Sequence, residues 1–217
     1  MTWILALLQN KLADLKRTFL VDTWRGHGTV VELVLDASPW GLGGYLVEDW
    51  RIVSWFACGL GEEEQQILDI RTADSAAQQV VEALAVLVAL RLWKKRWLHS
   101  RVNLKVKSDS ISALVLCLDF KTRGKGTCIL AREVALDVAC NEYSPNTVQH
   151  IPGVDNVIAD PLSRRYMPDA EFVLPACLMH VEEAIAPQRT RSYFRTLEQP
   201  PDSKCQMATG RAAAERS

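Results

Sequence analysis

Residues 30–57, VVELVLDASPWGLGGYLVEDWRIVSWFA, limit the possible folds more than any other stretch of the chain. An apolar strand runs from Val30 to Asp36, followed by small residues and a glycine-rich turn containing Ala37, Ser38, Pro39, Gly41, Gly43 and Gly44. A second apolar segment, Tyr45-Leu46-Val47, leads to the acidic turn Glu48-Asp49, and a third strand runs from Arg51 to Ala57. Apolar runs separated by short turn clusters predict a three-stranded antiparallel meander. Its one polar oddity is Asp36, at the end of the most apolar strand. A carboxylate there is costly unless partners or a chemical role offset its desolvation.

The strongest predicted helix is Gln78–Leu98, which is apolar on nearly every face for three turns and must therefore be buried against the sheet. Glu82 is its only charged residue before Arg91. Residues 102–107 (VNLKVK) alternate as a fourth strand, closed by Ser108-Asp109-Ser110. Residues 111–118 and 128–140 have helical spacing, separated by a basic, glycine-punctuated loop from Phe120. A short fifth strand covers Thr147–Ile151, and Asp155–Arg165 predicts a final helix that begins at Asp155 or Asn156 and contains Asp160. Between the meander and the long helix, residues 59–77 read as an inserted loop with a solvated turn or the start of a short helix. A meander followed by alternating strands and helices predicts an α/β fold. Its sheet is mixed and five-stranded, an antiparallel meander plus two parallel strands, with flanking helices.

The organisation expected is an N-terminal helix and linker over 1–28, a domain over 29–165, and a tail over 166–217. Residues 3–20 show helical apolar spacing that suits packing on the domain or on a partner. From Tyr166 onward, scattered prolines and polar residues predict a mostly disordered tail, with a short apolar docking segment at Phe172–Met179. The net charge of −1 carries no global basic excess, so a nucleic-acid partner requires local positive charge. Six cysteines without C-x-x-C spacing read as reduced thiols of an intracellular protein, with the compartment open. The longest apolar run, Ala83–Leu90, is far short of the ~20 residues of a membrane span.

Four carboxylates stand where solvation alone would not place them: Asp36 and Asp109 at strand ends, Glu82 inside an apolar helix, and Asp160 beside Ala159. If the first and fourth strands are neighbours, Asp36 and Asp109 are adjacent, and the long helix lowers Glu82 onto the same point. Four carboxylates so close cannot all stay ionised without cations. Oxygen-only ligands suit Mg2+, with Mn2+ as the substitute. A pair of such ions about 3.5–4 Å apart supports phosphodiester hydrolysis. Each residue also has a plainer role open to it: Asp36 as a turn cap, Asp109 as the cap of the helix from Ile111, Glu82 as an exposed helix residue, and Asp160 paired with Arg164 at i, i+4.

The segments LDASPWGLGG, QQVVEALAVLVAL, VKSDSISAL and HIPGVDNVIADPLSR, in that order, resemble the ribonuclease H domain of retroelement reverse transcriptases. The last phrase is especially similar to that of gypsy-type retrotransposons. The resemblance spans Val30 to Arg165 and implies a ribonuclease H-like fold that cuts the RNA strand of RNA–DNA hybrids, leaving 5′-phosphate and 3′-hydroxyl ends. It implies that Asp36 bridges two metal ions, that Glu82 and Asp109 complete one site, and that Asp160 completes the other. Gln79 matches a position that touches the hybrid's minor groove, with Gln78 as the weaker candidate. Lys121, Arg123 and Lys125 lie where some relatives carry a basic substrate-binding protrusion. Lys94, Lys95 and Arg96 form a second basic cluster able to follow a phosphate backbone.

Two departures stand out. The loop Gly153–Ala159 has no histidine, and the 46-residue interval between Asp36 and Glu82 is generous. No Y-x-D-D polymerase signature occurs, so the chain is not expected to polymerise DNA on its own, and the resemblance implies the polymerase portion of a reverse transcriptase polyprotein as a partner. An integrase-like core, which expects D…D…E, fits the carboxylate order less well. The rival from another class is a decayed module that only binds nucleic acid or a partner protein.

Overall fold

The computed structural model describes residues 5, 8–9, 28–97, 102–119, 124–140 and 147–197, with the side chains of 116–119, 139–140, 147 and 196 excluded. The meander forms as expected: β1 (Thr29–Ser38), β2 (Gly41–Glu48) and β3 (Arg51–Gly59) pair antiparallel in sequence. Next come α1 (Glu62–Leu68), α2 (Gln78–Leu92), the short α3 (Lys94–Trp97), β4 (Val102–Ser108), α4 (Ile111–Asp119) and α5 (Lys125–Cys140). The chain continues through β5 (Thr147–His150), α6 (Ala159–Ser163) and a two-residue β6 (Glu182–Glu183). The sheet order is β5-β4-β1-β2-β3-β6, with β4 parallel to β1 and β5 parallel to β4. The fold is α/β, with a six-stranded mixed sheet where the sequence indicates five strands.

Strand β1 is central because both of its faces are covered. Val31, Leu33, Leu35 and Ala37 belong to the main core, together with most of α2 and the buried residues of α5. Helix α2 packs on β1 and β2 and is flanked by α4 and α5. That enclosure explains its lack of a polar face. By length and composition, residues 75–92 are apolar enough to cross a membrane; here the stretch from Ala83 to Leu90 is the buried centre of the core. The edge-to-face contact of Phe56 with Trp93, 5.6 Å between ring centres, joins β3 to the end of the helix.

The residues from 59 to 77, expected as an insertion, are partly helical. The first turn of α1 is capped by its own Glu64, whose Oε1 accepts from Gly61 N at 2.5 Å. Described residues beyond the boundary expected at Arg165 pack against the domain. Leu178 and Phe194 are fully buried, and Leu178 joins Trp55, Ala57 and Leu162 in a second apolar cluster. Strand β6 pairs parallel with Ser54 and Trp55, and Ala184 N donates to Trp55 O at 2.7 Å, so the exposed edge of β3 is covered.

Buried charges fasten this C-terminal strap. Arg189 forms an ion pair with Glu64 and donates to Gly59 O at 2.6 Å, with both charged side chains almost wholly buried. Arg195 pairs with Asp137 at 2.8 Å, and the same carboxylate takes Arg91 Nε at 2.6 Å. The expected docking segment at Phe172–Met179 does pack on the sheet, through Phe172, Leu174 and Leu178. Of the N-terminal helix expected over residues 3–20, only one turn falls among the described residues, in which Gln9 N donates to Leu5 O. The remainder of that segment, and residues 198–217 of the tail, lie outside them.

Candidate active site

Two parallel neighbours, β1 and β4, make the floor of the site, with β4 stopping at Ser108 and β1 running on to Ser38. The β1–β4 register pairs Leu35 with Ser108, so the next residues along, Asp36 and Asp109, are adjacent. Neighbouring strands lie about 4.8 Å apart, which brings like charges into strong mutual contact. Asp36 is buried, with 6% of its surface exposed, whereas Asp109, Glu82 and Asp160 are half-buried.

Glu82 reaches this point from α2. Gln78, one turn before it, donates through Nε2 to Ala37 O at 2.6 Å and to Glu82 Oε1 at 3.0 Å. The amide nitrogen thus ties the helix to the end of β1 and holds the carboxylate there. By sequence Gln78 is a weaker candidate for touching nucleic acid; with its amide nitrogen spent on these two acceptors, its place is inside the site. Burial raises the Glu82 carboxyl, the hydroxyl of Ser110 and the amide of Gln78 oppose the shift, and Asp109 adds to it.

Asp160 comes from α6, on the other face of the sheet. That helix sits directly on β2 because Gly43 has no side chain. A Cβ there would lie 2.3 Å from Ser163 N and 2.5 Å from Leu162 Cβ. At Gly41 a Cβ would stand 3.1 Å from Ser163 O and 2.6 Å from Cys58 O. The sequence suggests a turn for these glycines; they lie within β2 and serve close helix approach. Ser38 Oγ, at the end of β1, donates to Ser163 O at 2.8 Å and fixes the other side of the same contact.

The charges respond to the convergence. The Asp36 carboxyl is pushed up from 3.8 to about 7, chiefly by burial. The Ser163 hydroxyl and the more distant Arg164 oppose the rise, while Asp109 and Asp160 both add to it. All four predicted carboxylates are therefore linked electrostatically: Asp36 to Asp109 and Asp160, and Glu82 to Asp109. Yet among the described residues no three His, Cys, Asp or Glu side chains are close enough to share one ion. Asp160 is paired with Arg164, Nε to Oδ1 at 2.8 Å, the i, i+4 contact that its position allows.

The local caps also differ from those expected. Ser110, not Asp109, caps α4, with its Oγ accepting from Ala113 N at 3.2 Å, which leaves the Asp109 carboxylate available to the site. The Pro152-Gly153 turn leans over that carboxylate, since a Cβ on Gly153 would be 3.4 Å from Asp109 Oδ2. Asn156, expected at the start of the last helix, is instead a buried residue of the site. Its Nδ2 donates to Leu35 O at 3.1 Å and to Asp36 Oδ1 at 3.3 Å. Sequence reading misses this role; the signal is an asparagine four residues before Asp160 in a segment too short for a regular helix.

The nucleic-acid candidates divide. Gln79 is exposed at the start of α2. Lys125 is exposed at the start of α5, where Gly126 abuts Leu68 and Val80, so it stands near the turn that carries Gln79. Lys121 and Arg123 lie outside the described residues. The Lys94–Arg96 cluster is at the far end of α2, where Arg96 pairs with Glu48, roughly 18 Å along the helix from Glu82. Lys107 is bound to Glu32 on the sheet face, at 2.7 Å, and does not reach the carboxylates.

No family model matches the chain, and no curated protein is similar to it. Among solved structures, it is similar to a ribonuclease H1 isolated from compost by a metagenomic approach. The match covers 64% of this chain and 95% of that one, at 17% identity and a TM-score of 0.47.

Proposed function

We propose that this domain is a ribonuclease H-type nuclease that hydrolyses the RNA strand of RNA–DNA hybrids by two-metal catalysis. The observation that carries the reading is the parallel register of β1 and β4, which sets Asp36 beside Asp109 while Glu82 and Asp160 approach from opposite faces of the sheet. The donors are carboxylate oxygens, the kind that Mg2+ and Mn2+ prefer. An Asp36 carboxyl lifted to about 7 and a buried Asn156 Oδ1 with no donor both mark a place short of positive charge. The residues therefore suit divalent ions in kind; as placed, no three of them could share one ion, and binding requires Asp160 to release Arg164.

With ions bound, the chemistry supplied is activation of a water and stabilisation of the leaving oxygen. The chain's own part is positional. Asp36 and Asp109 would be held by the strand register, Glu82 by Gln78 and Ser110, and Asp160 by the seating of α6 on Gly43. Gln79 and Lys125 would meet the duplex beside the site, Gln79 in the minor groove and Lys125 at a phosphate. Recognition of RNA rather than DNA would rest on the 2′-hydroxyl next to the scissile phosphate. The motif resemblance favours a retroelement origin, with a reverse transcriptase polymerase portion as partner. The thiols of Cys58 and Cys177, outside any disulfide, suit an intracellular site of action.

A labelled hybrid incubated with the protein and Mg2+ tests the reading. Cleavage leaving 3′-hydroxyl ends is expected; intact RNA under conditions where a control ribonuclease H cuts would overturn it. One observation favours the second reading, a decayed module that only binds hybrid or a partner protein: Asp160 is already satisfied by Arg164. Mg2+ titration separates the two, since only the nuclease requires carboxylate-dependent ion binding.

A further inference from the structure

We infer that the chain holds a second nucleic-acid site, for a single strand, at the end of the sheet opposite the carboxylates. Trp50 stacks on an unpaired base, and Arg51, Lys95 and Arg96 meet the phosphates that flank it. Binding there needs neither a metal nor the carboxylates, so it goes beyond the nuclease reading and does not depend on it.

Two peculiarities coincide at the turn between β2 and β3. Glu48 ends one strand and Arg51 begins the next, and they pair across a connection made of Asp49 and Trp50. Both connecting residues have positive φ, 47° and 64°. Tight hairpins favour that backbone, and glycine, asparagine or aspartate ordinarily supplies it. A bulky aromatic residue there is strained. The indole gains no burial in return, since Trp50 is 86% exposed. Strain retained at a residue held out in solvent points to contact with a ligand rather than to folding.

The foot of the turn is basic. Glu48 and Arg51 are directly opposed, so their side chains share one face of the sheet. On that face Glu48 also takes Arg96, at 3.4 Å. A single carboxylate thus answers two arginines. In α3, the buried Trp93 and Trp97 bracket the intervening cations and leave Lys95 and Arg96 exposed. Among the described residues, neither Arg51 nor Lys95 has an ion-pair partner.

Aromatic ring and cations together define the ligand. Bases in a duplex cover one another's faces, so an indole stacks on a base only in a single strand or at a strand end. Lysine is depleted in protein–protein interfaces, whereas a phosphate backbone takes Lys and Arg alike. In a chain of net charge −1 such a cluster is a local departure. Glu48 pairs with Val31, five residues before Asp36 on β1, so the turn lies roughly 17 Å from the carboxylates. At the ~3.4 Å per nucleotide of a stacked strand, about five nucleotides cross that gap. A hybrid seated at the carboxylates with a longer single-stranded extension on that side reaches both places.

The test is fluorescence anisotropy of a labelled oligothymidylate with the full chain in EDTA, where neither metal nor cleavable RNA is present. Wild type should bind, with an affinity that falls as salt rises. Trp50→Ala should weaken binding roughly 5–100-fold, and Trp50→Phe should retain most of it. Arg51→Ala should weaken binding and reduce the slope of log affinity against log salt by about 0.7. Trp50→Gly sets stability against binding: relief of strain at positive φ should raise the urea midpoint while strand binding falls. The same variant should cut a blunt RNA–DNA hybrid as wild type does and lose affinity only for extended hybrids. No oligothymidylate binding by wild type, or binding indifferent to Trp50, overturns the inference. Trp50-dependent self-association, or capture of anionic vesicles, without strand binding overturns it too. Each of these results leaves the nuclease reading standing, which is decided separately by cleavage of blunt hybrid with Mg2+.

Discussion

Asp36 couples the chemistry of the site to the stability of the whole domain, and replacing it with asparagine exposes the coupling. Its carboxyl rises from 3.8 to about 7 on folding, so folding becomes harder once the group must ionise. The direction is fixed by linkage: a carboxyl raised in the folded state contributes full stability below 3.8, and that contribution is lost as the pH rises through about 7. At ~1.4 kcal/mol per pH unit, the metal-free domain gives up about 4 kcal/mol through this group. The amide introduced by Asp36→Asn would be neutral at every pH and would keep an oxygen for Asn156 Nδ2. In EDTA, Asp36→Asn should therefore match wild type near about pH 4 and exceed it by about 3–4 kcal/mol near about pH 8. Urea unfolding followed by tryptophan fluorescence measures this, since Trp55, Trp93 and Trp97 are buried reporters. Adding Mg2+ should stabilise wild type and not the variant. A pH-independent difference, or a variant no more stable than wild type near about pH 8, would refute the account of Asp36 as a strained ligand awaiting a cation.

Asp109→Asn should cut hybrid cleavage by more than about 100-fold, beyond the usual loss from an outer-shell partner, with an unchanged circular dichroism spectrum; turnover like wild type would remove Asp109 from the site. Arg164→Ala should tighten Mg2+ binding by at most about fivefold, the equivalent of the ~1 kcal/mol that an exposed pair is worth, as calorimetry will show. Phe194→Ala should destabilise the domain by about 3–5 kcal/mol in urea unfolding, because the ring is fully buried. Arg189→Ala should cost about 3–5 kcal/mol in the same assay, since it strands the buried Glu64 carboxylate. Truncation after Arg165 should then yield a chain that fails to unfold cooperatively, whereas one ending at Leu197 should behave as the full domain.

The features legible in sequence are those whose signal is local. An apolar strand ending on Asp36, an alternating strand ending on Asp109, and a single charge in an apolar helix each stand out within ten or so residues. Their convergence is inferable because Asp36 and Asp109 both lie toward the C-terminal ends of strands that pair in parallel. The strap is not legible for the opposite reason. It is built from short 3-10 turns, a two-residue strand and charged anchors such as Arg189 and Arg195, which carry no periodicity and read as solvated. Only its apolar segment at Phe172–Met179 shows locally. Asn156 and Gln78 escape for a third reason. Each spends its amide on a backbone carbonyl of β1 far away in sequence, and nothing in the flanking residues announces such a partner.

The seating of α6 on Gly43 has a bearing on how this protein can vary. Asp160 owes its position to a strand that supplies no reactive group, through a gap one carbon atom wide. Alanine in place of Gly43 would act as a shim, lifting the helix and carrying the fourth carboxylate away from the other three while leaving every chemical group present. A survey of inactivating substitutions should therefore score Gly43 alongside the carboxylates themselves. On the proposed nuclease reading, a chain that kept all four acids and lost this one glycine would look intact by motif and be silent.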